Sequence, residues 1–275
     1  MGILKTITDE YFGETVRKED EIDLTGLDVE IVSFTDNNKK YHGRGYKPKN
    51  TDNLKKLLER MIESRGDEGD FNDIDTSDFK SMESLFEINN TFNGDITGWD
   101  VSKVTNMSHM FYNAESFNQI ISDWDVSSVK NMQSMFSGAA SFNQDIGKWD
   151  VSKVENMKFM FYNAESFNQP ISDWDVSSVK NMQSMFCYAT SFNQPIGGWN
   201  VLKVTCMSYM FYGAESFNQP IDKWDISNIE KMEYMFAGAK SFNQNLSNWD
   251  LTKVYFNTCM FDDCPIKNKY KPKIK

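Results

Sequence analysis

The sequence predicts an α/β solenoid: a curved array of the leucine-rich-repeat type, with one short strand and one short helix in each coil. The prediction depends on the tryptophans, which recur every 25 residues, and on the intervening residues, which repeat with them. A fixed period of about 20 to 50 residues is typical of solenoids and related repeat folds. The seven tryptophans are Trp99, Trp124, Trp149, Trp174, Trp199, Trp224 and Trp249.

The repeat unit reads approximately W-D-V-S-x-V-x-N-M-x-x-M-F-x-x-A-x-S-F-N-Q-x-I-x-x. We number its positions as slots 1 to 25, with tryptophan in slot 1. A weaker copy begins at Ile74, which places the array at residues 74–264, as seven full units and a truncated eighth. One unit cannot bury its apolar face alone, so the copies must stack. Stacking predicts a core built from the tryptophan, phenylalanine, methionine and isoleucine columns.

Each unit is predicted to contain a helix of roughly ten residues and a strand. Ser102 stands where an N-cap belongs, apolar residues follow at helical spacing up to Ala114, and glycines such as Gly138 fall where the helix would end. Residues 116–121 alternate between apolar and polar side chains, which favours a strand. Because strands stack about 4.8 Å apart and helices about 10 Å apart, the array is expected to curve with the strands inside.

A column of asparagines in slot 20 is predicted to form a hydrogen-bonded ladder between neighbouring coils. Such a ladder would belong to the structural core together with the tryptophans. Its members are Asn93, Asn118, Asn143, Asn168, Asn193, Asn218 and Asn243.

The stretch WDVSKVTNMSHMFYNAESFNQ closely resembles the BspA-like, leucine-rich-repeat-type surface proteins, whose unit is a bacterial surface protein repeat of about 26 residues. The resemblance covers about 190 of the 275 residues. It implies a cell-surface or secreted protein, in some members one that adheres to host matrix proteins or to other cells. The chain shows no signal peptide or lipobox, so a cytoplasmic location stays open as the alternative.

The flanks of the array are not repeats. Residues 1–50 are expected to contain a small β-hairpin, with strands within residues 22–34 and 41–46 and a turn at residues 36–38. Residues 51–73 form an amphipathic helix and lead-in, which would cap the first coil, with Gly66 as the helix stop. Residues 265–275 are a basic tail, interpreted as a solvated end, with a hook for an anionic surface as the weaker alternative.

Composition excludes several classes of function. Forty acidic against 29 basic side chains give a net charge of −11, which disfavours nucleic acid as a partner. No apolar run approaches the length of a membrane span. Four cysteines are too few for a disulfide scaffold, so we interpret them as reduced thiols. A monomer is the expected oligomeric state.

The sequence offers little for catalysis. The two histidines, His42 and His109, lie in unrelated settings, and no catalytic or nucleotide-binding motif is present. We therefore expect no enzyme and no cofactor, with an activity sited in residues 1–73 as a remote alternative. The aspartates of slot 2, such as Asp100, suggest a calcium site, but an aspartate at such a position is more often a turn residue. No metal is expected.

What remains is the surface, on which two candidate binding faces stand out. Tyrosine has the contact area and polar tip found in binding surfaces, although packing on outer helices would explain the tyrosine row equally well. Repeat arcs often bind through their inner face, here the glutamines beside the asparagine ladder. The candidate residues are Tyr112, Tyr162, Tyr188, Tyr212, Gln119, Gln144, Gln169, Gln194 and Gln219.

These observations lead to one hypothesis and one alternative. The hypothesis is a non-enzymatic, repeat-built protein-interaction module, adhesin-like or surface-associated, whose partner contacts are distributed along the arc. The alternative is an intracellular protein-binding scaffold, which the missing signal and the free thiols favour. Both are inferred from the fold class, and a fold does not determine a function.

Overall fold

The structure is a computed structural model that describes residues 22–34 and 43–273. The expected turn at residues 36–38, His42 and the last lysine of the tail lie outside the described residues. Eight 25-residue units follow one another from residue 74 to residue 273, and we call them coils 1 to 8. They begin at Ile74, Trp99, Trp124, Trp149, Trp174, Trp199, Trp224 and Trp249.

An antiparallel hairpin lies where the sequence predicted one. Strand β1 (Val29–Phe34) pairs with strand β2 (Gly43–Pro48), with Ile31 opposite Tyr46. Strand β2 also pairs with the start of coil 1, because the Tyr46 amide donates to the Asp73 carbonyl at 2.7 Å. A Cβ atom on Gly45 would lie 2.4 Å from that carbonyl oxygen, so this close approach requires glycine.

Helix α1 (Thr51–Arg65) covers the core at the first coil. The Asn50 side chain caps its N-terminus by accepting from the Asn53 amide at 2.9 Å, and Gly66, with a φ of 79°, ends it. Arg65 forms a 2.7 Å ion pair with Asp73, which fixes the end of the helix to the lead-in. The side chains that α1 buries are Leu54, Leu57, Leu58 and Met61.

The coils stack in parallel with an offset of one repeat. In each of the first seven coils, the amides of slots 9, 11, 13 and 15 donate to carbonyl groups of the following coil. We call slots 8–15 the ladder segment. The bonds from coil 2 to coil 3 are Met107 N to Asn131 O (2.9 Å), His109 N to Gln133 O (2.9 Å), Phe111 N to Met135 O (2.9 Å) and Asn113 N to Ser137 O (2.8 Å).

The expected helix in each coil is wrong. The ladder segment contains two residues in the left-handed region, in slots 11 and 15, such as His109 (φ 57°) and Asn113 (φ 56°). A right-handed helix cannot contain such residues, and the alternate amides are committed to the next coil. In coils 2 to 7 the amides of slots 12 and 14 bond three residues back, as Met110 N does to Met107 O at 3.3 Å. The M-x-x-M-F spacing therefore encodes consecutive turns.

The predicted helix caps and the predicted strand of each coil are also not found in the structure. Ser102 is not an N-cap, because its hydroxyl donates to the Asp100 carboxylate at 2.7 Å. Gly138 lies in slot 15 with a φ of 75°, so its glycine serves a left-handed turn and not a helix end. Residues 116–121 contain no strand. Curvature of the array stays a prediction, and its original reason, a strand opposite a helix, no longer applies.

The core is a continuous stack of identical side chains. All seven tryptophans are 3–4% exposed, as expected of a core column. The phenylalanines of slot 13 lie parallel in adjacent coils, with ring centroids 5.5 Å apart and planes at 4° for Phe111 and Phe136. Within a coil, Phe111 also stacks on Phe117 of slot 19 at 3.8 Å. Offset stacking of this kind adds to the free energy gained by burying the rings.

The basic tail is not a free, solvated end over its described part. Residues 264–273 complete coil 8: the Lys267 amide donates to Asn243 Oδ1 at 3.1 Å, and the Leu246 amide donates to the Tyr270 carbonyl at 2.8 Å. Ile266 is 4% exposed, and a short 3-10 helix covers Asn268–Tyr270. The array therefore extends to residue 273 and not only to residue 264.

Candidate functional site

Aromatic side chains gather on the outer face of the ladder segment in coils 4 to 7. Slots 9, 12 and 13 point into the core, whereas slots 10, 11, 14 and 15 form the opposite face, which we call the ladder face. In each of these four coils, phenylalanine or tyrosine occupies slot 11, slot 14 or slot 15. We call the connected group the tyrosine cluster: Phe159, Tyr162, Tyr188, Tyr209, Tyr212 and Tyr234.

Ring contacts connect the cluster across coil boundaries. Tyr188 stands perpendicular to Tyr162 and to Tyr212, with centroids 6.2 and 5.2 Å apart, and Tyr209 stacks on Tyr234 at 5.0 Å and 11°. Tyr188 is 40% exposed, and the other five rings are half-buried. The cluster is therefore a surface whose rings are held by one another and are still accessible.

Glycine in slot 15 makes room for the most exposed ring. A Cβ atom on Gly213 would lie 2.5 Å from Cδ1 of Tyr188, so the Tyr188 ring can lie over this position only because it has no side chain. Gly213 also has a φ of 64°, which disfavours other residues there. The position of Tyr188 thus depends on a residue of the next coil.

Three tyrosine hydroxyl groups of the cluster have a raised pKa, which favours their neutral form. A hydrogen bond with Tyr212, together with partial burial, raises the pKa of Tyr188 to about 12. Burial raises the pKa of Tyr162, and a hydrogen bond with the Cys259 thiol raises that of Tyr234. At neutral pH the cluster therefore presents uncharged rings with polar tips.

The ladder face around the cluster carries little charge. In coils 4 to 7, Lys158 and Glu233 are the only formally charged side chains in slots 10, 11, 14 and 15, although 25% of the whole chain is charged. The Lys158 ammonium group lies 4.9 Å from the centroid of the Phe159 ring. Depletion of charge with enrichment of aromatic residues is typical of the centre of a protein–protein interface.

The structure brings together three of the four predicted tyrosines. Tyr112 is separate, because Ser137 occupies the same slot in the intervening coil, and its ring contacts His109 at 5.8 Å. Sequence reasoning missed Phe159, Tyr209 and Tyr234, which lie in slot 11. The sequence could have indicated them, because slots 11 and 14 are three residues apart. That spacing places two side chains on one face of a helix, and it also places them together on the ladder face.

The predicted glutamines do not form a free binding face. Gln144 Nε2 donates to the carbonyl oxygen of Asn118 at 2.9 Å and to its Oδ1 at 3.0 Å, and Gln119 Nε2 donates to the Asn93 carbonyl at 2.7 Å. All the predicted glutamines are half-buried. Their amides are used between coils, so Gln119, Gln144, Gln169, Gln194 and Gln219 are structural residues.

The asparagine column forms the expected ladder. The Oδ1 atom of each asparagine accepts from the backbone amide of the asparagine one coil later, as Asn168 Oδ1 does from Asn193 N at 2.9 Å. The ladder runs from Asn93 to Asn243 and ends on the Lys267 amide. Each asparagine satisfies a backbone donor in the next coil that would otherwise be unpaired.

The aspartates of slot 2 are turn residues. The Asp150 carboxylate accepts from the Ser152 amide at 3.0 Å, and the hydroxyl and amide of Ser152 hold the pKa of Asp150 below its ordinary value. Among the described residues, no group of three or more histidine, cysteine or acidic side chains is placed to hold a metal ion. The column therefore fits the turn interpretation.

The cysteines are present as thiols. All four are free in the structure, and burial raises the pKa of Cys187 to about 12. Cys187 is 3% exposed beneath the tyrosine cluster. A thiol at this depth with a raised pKa is a poor nucleophile, because the thiolate is the reactive form.

The stacked coils define a tandem-repeat protein, and comparison with known proteins gives its family. The family model described as "Mycoplasma protein of unknown function, DUF285" matches residues 80–188 and 163–272, and the chain belongs to this family. No curated protein matches the chain, and no solved structure matches it. In the part of the chain that the structure describes, no helix has the length and hydropathy to cross a bilayer.

Proposed function

We propose that the protein is a non-enzymatic, repeat-built module that binds a protein partner through the tyrosine cluster. The observation that carries the proposal is the continuous set of ring contacts on a ladder face almost free of charge. Tyr188 and Tyr212 lie at its centre, 5.2 Å apart. Tyrosine is enriched in the residues that dominate binding energy at interfaces, because it combines a large ring with few rotatable bonds.

An adhesin-like role at a bacterial surface is the form of this function that the resemblance of the repeat to BspA-like proteins favours. The solenoid architecture of such proteins agrees with a binding surface spread over several coils. The alternative, an intracellular scaffold, is favoured by the four free thiols, since reduced cysteines are typical of the cytosol. Fractionation of the native cells separates the two, because an adhesin must be found in the surface fraction.

The binding proposal is tested by replacing the centre of the cluster. The double variant Tyr188→Ser/Tyr212→Ser removes the two central rings without touching the core. We expect it to lose capture of purified matrix proteins in a solid-phase assay. Tyr112→Ser is the control, since Tyr112 occupies the same slot as Tyr212 but lies outside the cluster, and its replacement should leave capture unchanged.

Three outcomes would count against the proposal or against its adhesin-like form. Capture by the double variant at the wild-type level, with an unchanged circular dichroism spectrum, would show that the cluster does not bind. Equal losses in the double variant and in Tyr112→Ser would point to a general effect of removing tyrosines. Absence of wild-type binding to every matrix protein would remove the adhesin-like form of the function.

A further inference from the structure

The ladder of backbone hydrogen bonds is open at coil 8. In coil 7, the amides of slots 9, 11, 13 and 15 donate to Phe256, Thr258, Met260 and Asp262 at 2.7–3.0 Å. The corresponding amides of coil 8 have no hydrogen-bond partner among the described residues. We call this row the donor edge, and it comprises Asn257, Cys259, Phe261 and Asp263.

The donor edge presents donors alone. The carbonyl groups of slots 8, 10, 12 and 14 in coil 8 already accept from coil 7, so the outward side carries only N–H groups. Cys259 and Asp263 are left-handed, with φ of 55° and 52°, as the same slots are in the earlier coils. A row of convergent amides in such a conformation favours oxygen acceptors and negative charge. Two donor edges cannot pair with each other, which excludes a symmetric edge-to-edge dimer.

The first coil offers acceptors, but a second copy cannot use them by continuing the stack. The carbonyl groups of Glu83, Leu85 and Glu87 accept from no described residue, yet α1 lies on this end, with Thr51 Oγ1 3.5 Å from the Ser81 carbonyl. A helix is about 10 Å wide and paired strands are about 4.8 Å apart. If the donor edge of a second copy docked on coil 1, helix α1 would therefore keep the two ladders too far apart for hydrogen bonds between them.

Charge and apolar surface at coil 8 narrow the class of partner. Residues 264–273 contain four lysines and no acidic residue, in a chain whose net charge is −11. Two acidic residues, Asp262 and Asp263, lie at the edge itself, and Asp263 forms an ion pair with Lys240. The Lys267 amide donates to Asn243 Oδ1, as the amide of a ladder asparagine does in the earlier coils. Lys267 and Lys269 therefore lie in the second half of the coil that carries the donor edge. Tyr255 and Phe256, 76% and 52% exposed, flank the start of the edge. The surroundings are thus complementary to an acidic segment with some apolar side chains.

We propose that the donor edge binds an acidic segment of a partner protein that adopts the turn conformation of the ladder segment, so that its carbonyl groups on alternate residues accept from the four amides. The segment would add a ninth layer to the ladder, as a peptide adds a strand to the edge of a sheet. Its acidic residues would follow the ladder part and lie beside Lys267 and Lys269. The edge adjoins the tyrosine cluster, since the Cys259 thiol and Tyr234 share a hydrogen bond, but the proposal does not depend on the function proposed for that cluster.

The chain itself supplies a probe of the right chemistry. A labelled peptide with the sequence of residues 131–145, NMQSMFSGAASFNQD, contains the carbonyl groups that accept from coil 2 within the array. Its charged groups in the second half, the Asp145 side chain and a free C-terminal carboxylate, would lie near the two lysines. The control peptides are a scrambled sequence of the same composition and the same sequence with Asp145 replaced by asparagine.

The experiment measures peptide binding by fluorescence anisotropy and amide exchange in the full chain. We expect the peptide to bind and to slow exchange of the Asn257, Cys259, Phe261 and Asp263 amides, with weaker binding as salt is raised. Lys267→Glu/Lys269→Glu should weaken binding by about tenfold, since each charge reversal near an acidic ligand costs a few tenths to about 1 kcal/mol. Lys153→Glu/Lys203→Glu is the matched control and should leave binding unchanged.

Several results would overturn the proposal. These are equal binding of the scrambled peptide, unchanged exchange of the four amides at saturation, and equal weakening by the two lysine pairs. Self-association of the protein that protects the same amides would assign the edge to a second copy. Tyr188→Ser/Tyr212→Ser should leave peptide binding intact, so failure at the donor edge is distinguishable from failure at the tyrosine cluster.

Discussion

The indole Nε1 of Trp174, the first residue of coil 5, donates a 3.0 Å hydrogen bond to the carbonyl oxygen of Ile146, 28 residues earlier near the end of coil 3. The tryptophans from Trp99 to Trp224 all make the equivalent bond. Each of these six tryptophans therefore fills the core and satisfies a backbone acceptor 28 residues earlier. The column explains how a polar, acidic chain keeps its coils in register.

The tryptophan column predicts a graded loss of stability. Trp174→Ala should lower the free energy of unfolding by about 3–5 kcal/mol, because it removes a large buried ring and leaves a cavity. Trp174→Phe should cost less, but more than Trp249→Phe. The Trp249 Nε1 is buried without a hydrogen-bond partner, so Trp249→Phe loses no hydrogen bond. Trp174→Phe loses the bond to the Ile146 carbonyl, which then accepts only from the Trp149 amide at 3.1 Å. Urea unfolding followed by circular dichroism tests the order, and equal costs for the two phenylalanine variants would contradict it.

The asparagine ladder predicts a difference between two adjacent polar residues. Asn168→Ala leaves the Asn193 amide without its acceptor, so we expect a loss of about 1–3 kcal/mol in the free energy of unfolding. Gln169→Ala should cost less, because the Asn143 oxygen that it frees still accepts from the Asn168 amide at 3.0 Å. Equilibrium unfolding of both variants provides the measurement. A larger cost for Gln169→Ala would show that the glutamines, and not the asparagines, hold the ladder.

Gly213 and Gly238 occupy the same slot, and comparing their replacements measures how much the contact with Tyr188 adds to the loss of stability. Gly213→Ala and Gly238→Ala both place alanine at a positive φ, which costs about 1–2 kcal/mol. A Cβ atom at Gly238 would approach its nearest neighbour only to 3.6 Å, whereas at Gly213 it would meet the Tyr188 ring. Gly213→Ala should therefore cost more, and Tyr188→Ala should remove the excess. Thermal melting of the two single variants and of the double variant Tyr188→Ala/Gly213→Ala measures this coupling, and additive effects would contradict it.

Periodicity alone was sufficient to predict which side chains are buried. A column of identical residues at a fixed interval can only be satisfied by stacking, so the buried tryptophans and the asparagine ladder followed from residues such as Trp174 and Asn168. The cap was also predictable, because helix α1 has an amphipathic face and a glycine stop of its own. These features depend on the amphipathic pattern of the helix and on the period of the repeat, and both can be read directly from the sequence.

The backbone path inside the coil could not be predicted in the same way. Met107, Met110 and Phe111 have helical spacing, but hydrogen bonds to the next coil outweigh that local preference. Slot 15 carried a hint, since glycine or asparagine stands there in five coils, including Asn113 and Gly213. Slot 11 carried none, because residues as bulky as Tyr209 adopt a positive φ there. Only the geometry between coils makes that conformation favourable.

The hydrogen bond between Tyr188 and Tyr212 predicts an alkaline transition in the tyrosine cluster. The pKa of Tyr188 is raised from its ordinary value of 10.0 to about 12, so the folded protein favours the protonated phenol. The resulting stabilisation is complete below pH 10 and is lost as the pH rises through about 12. Tyr212→Phe removes the partner hydroxyl and should lower the pKa of Tyr188 towards 10, as an absorbance titration of phenolate formation would show. Tyr112→Phe, in the same slot but outside the cluster, should leave the latest-titrating component unchanged. If both variants shifted that component equally, the raised pKa would have to arise from the net negative charge of the chain and not from the contact between these two rings.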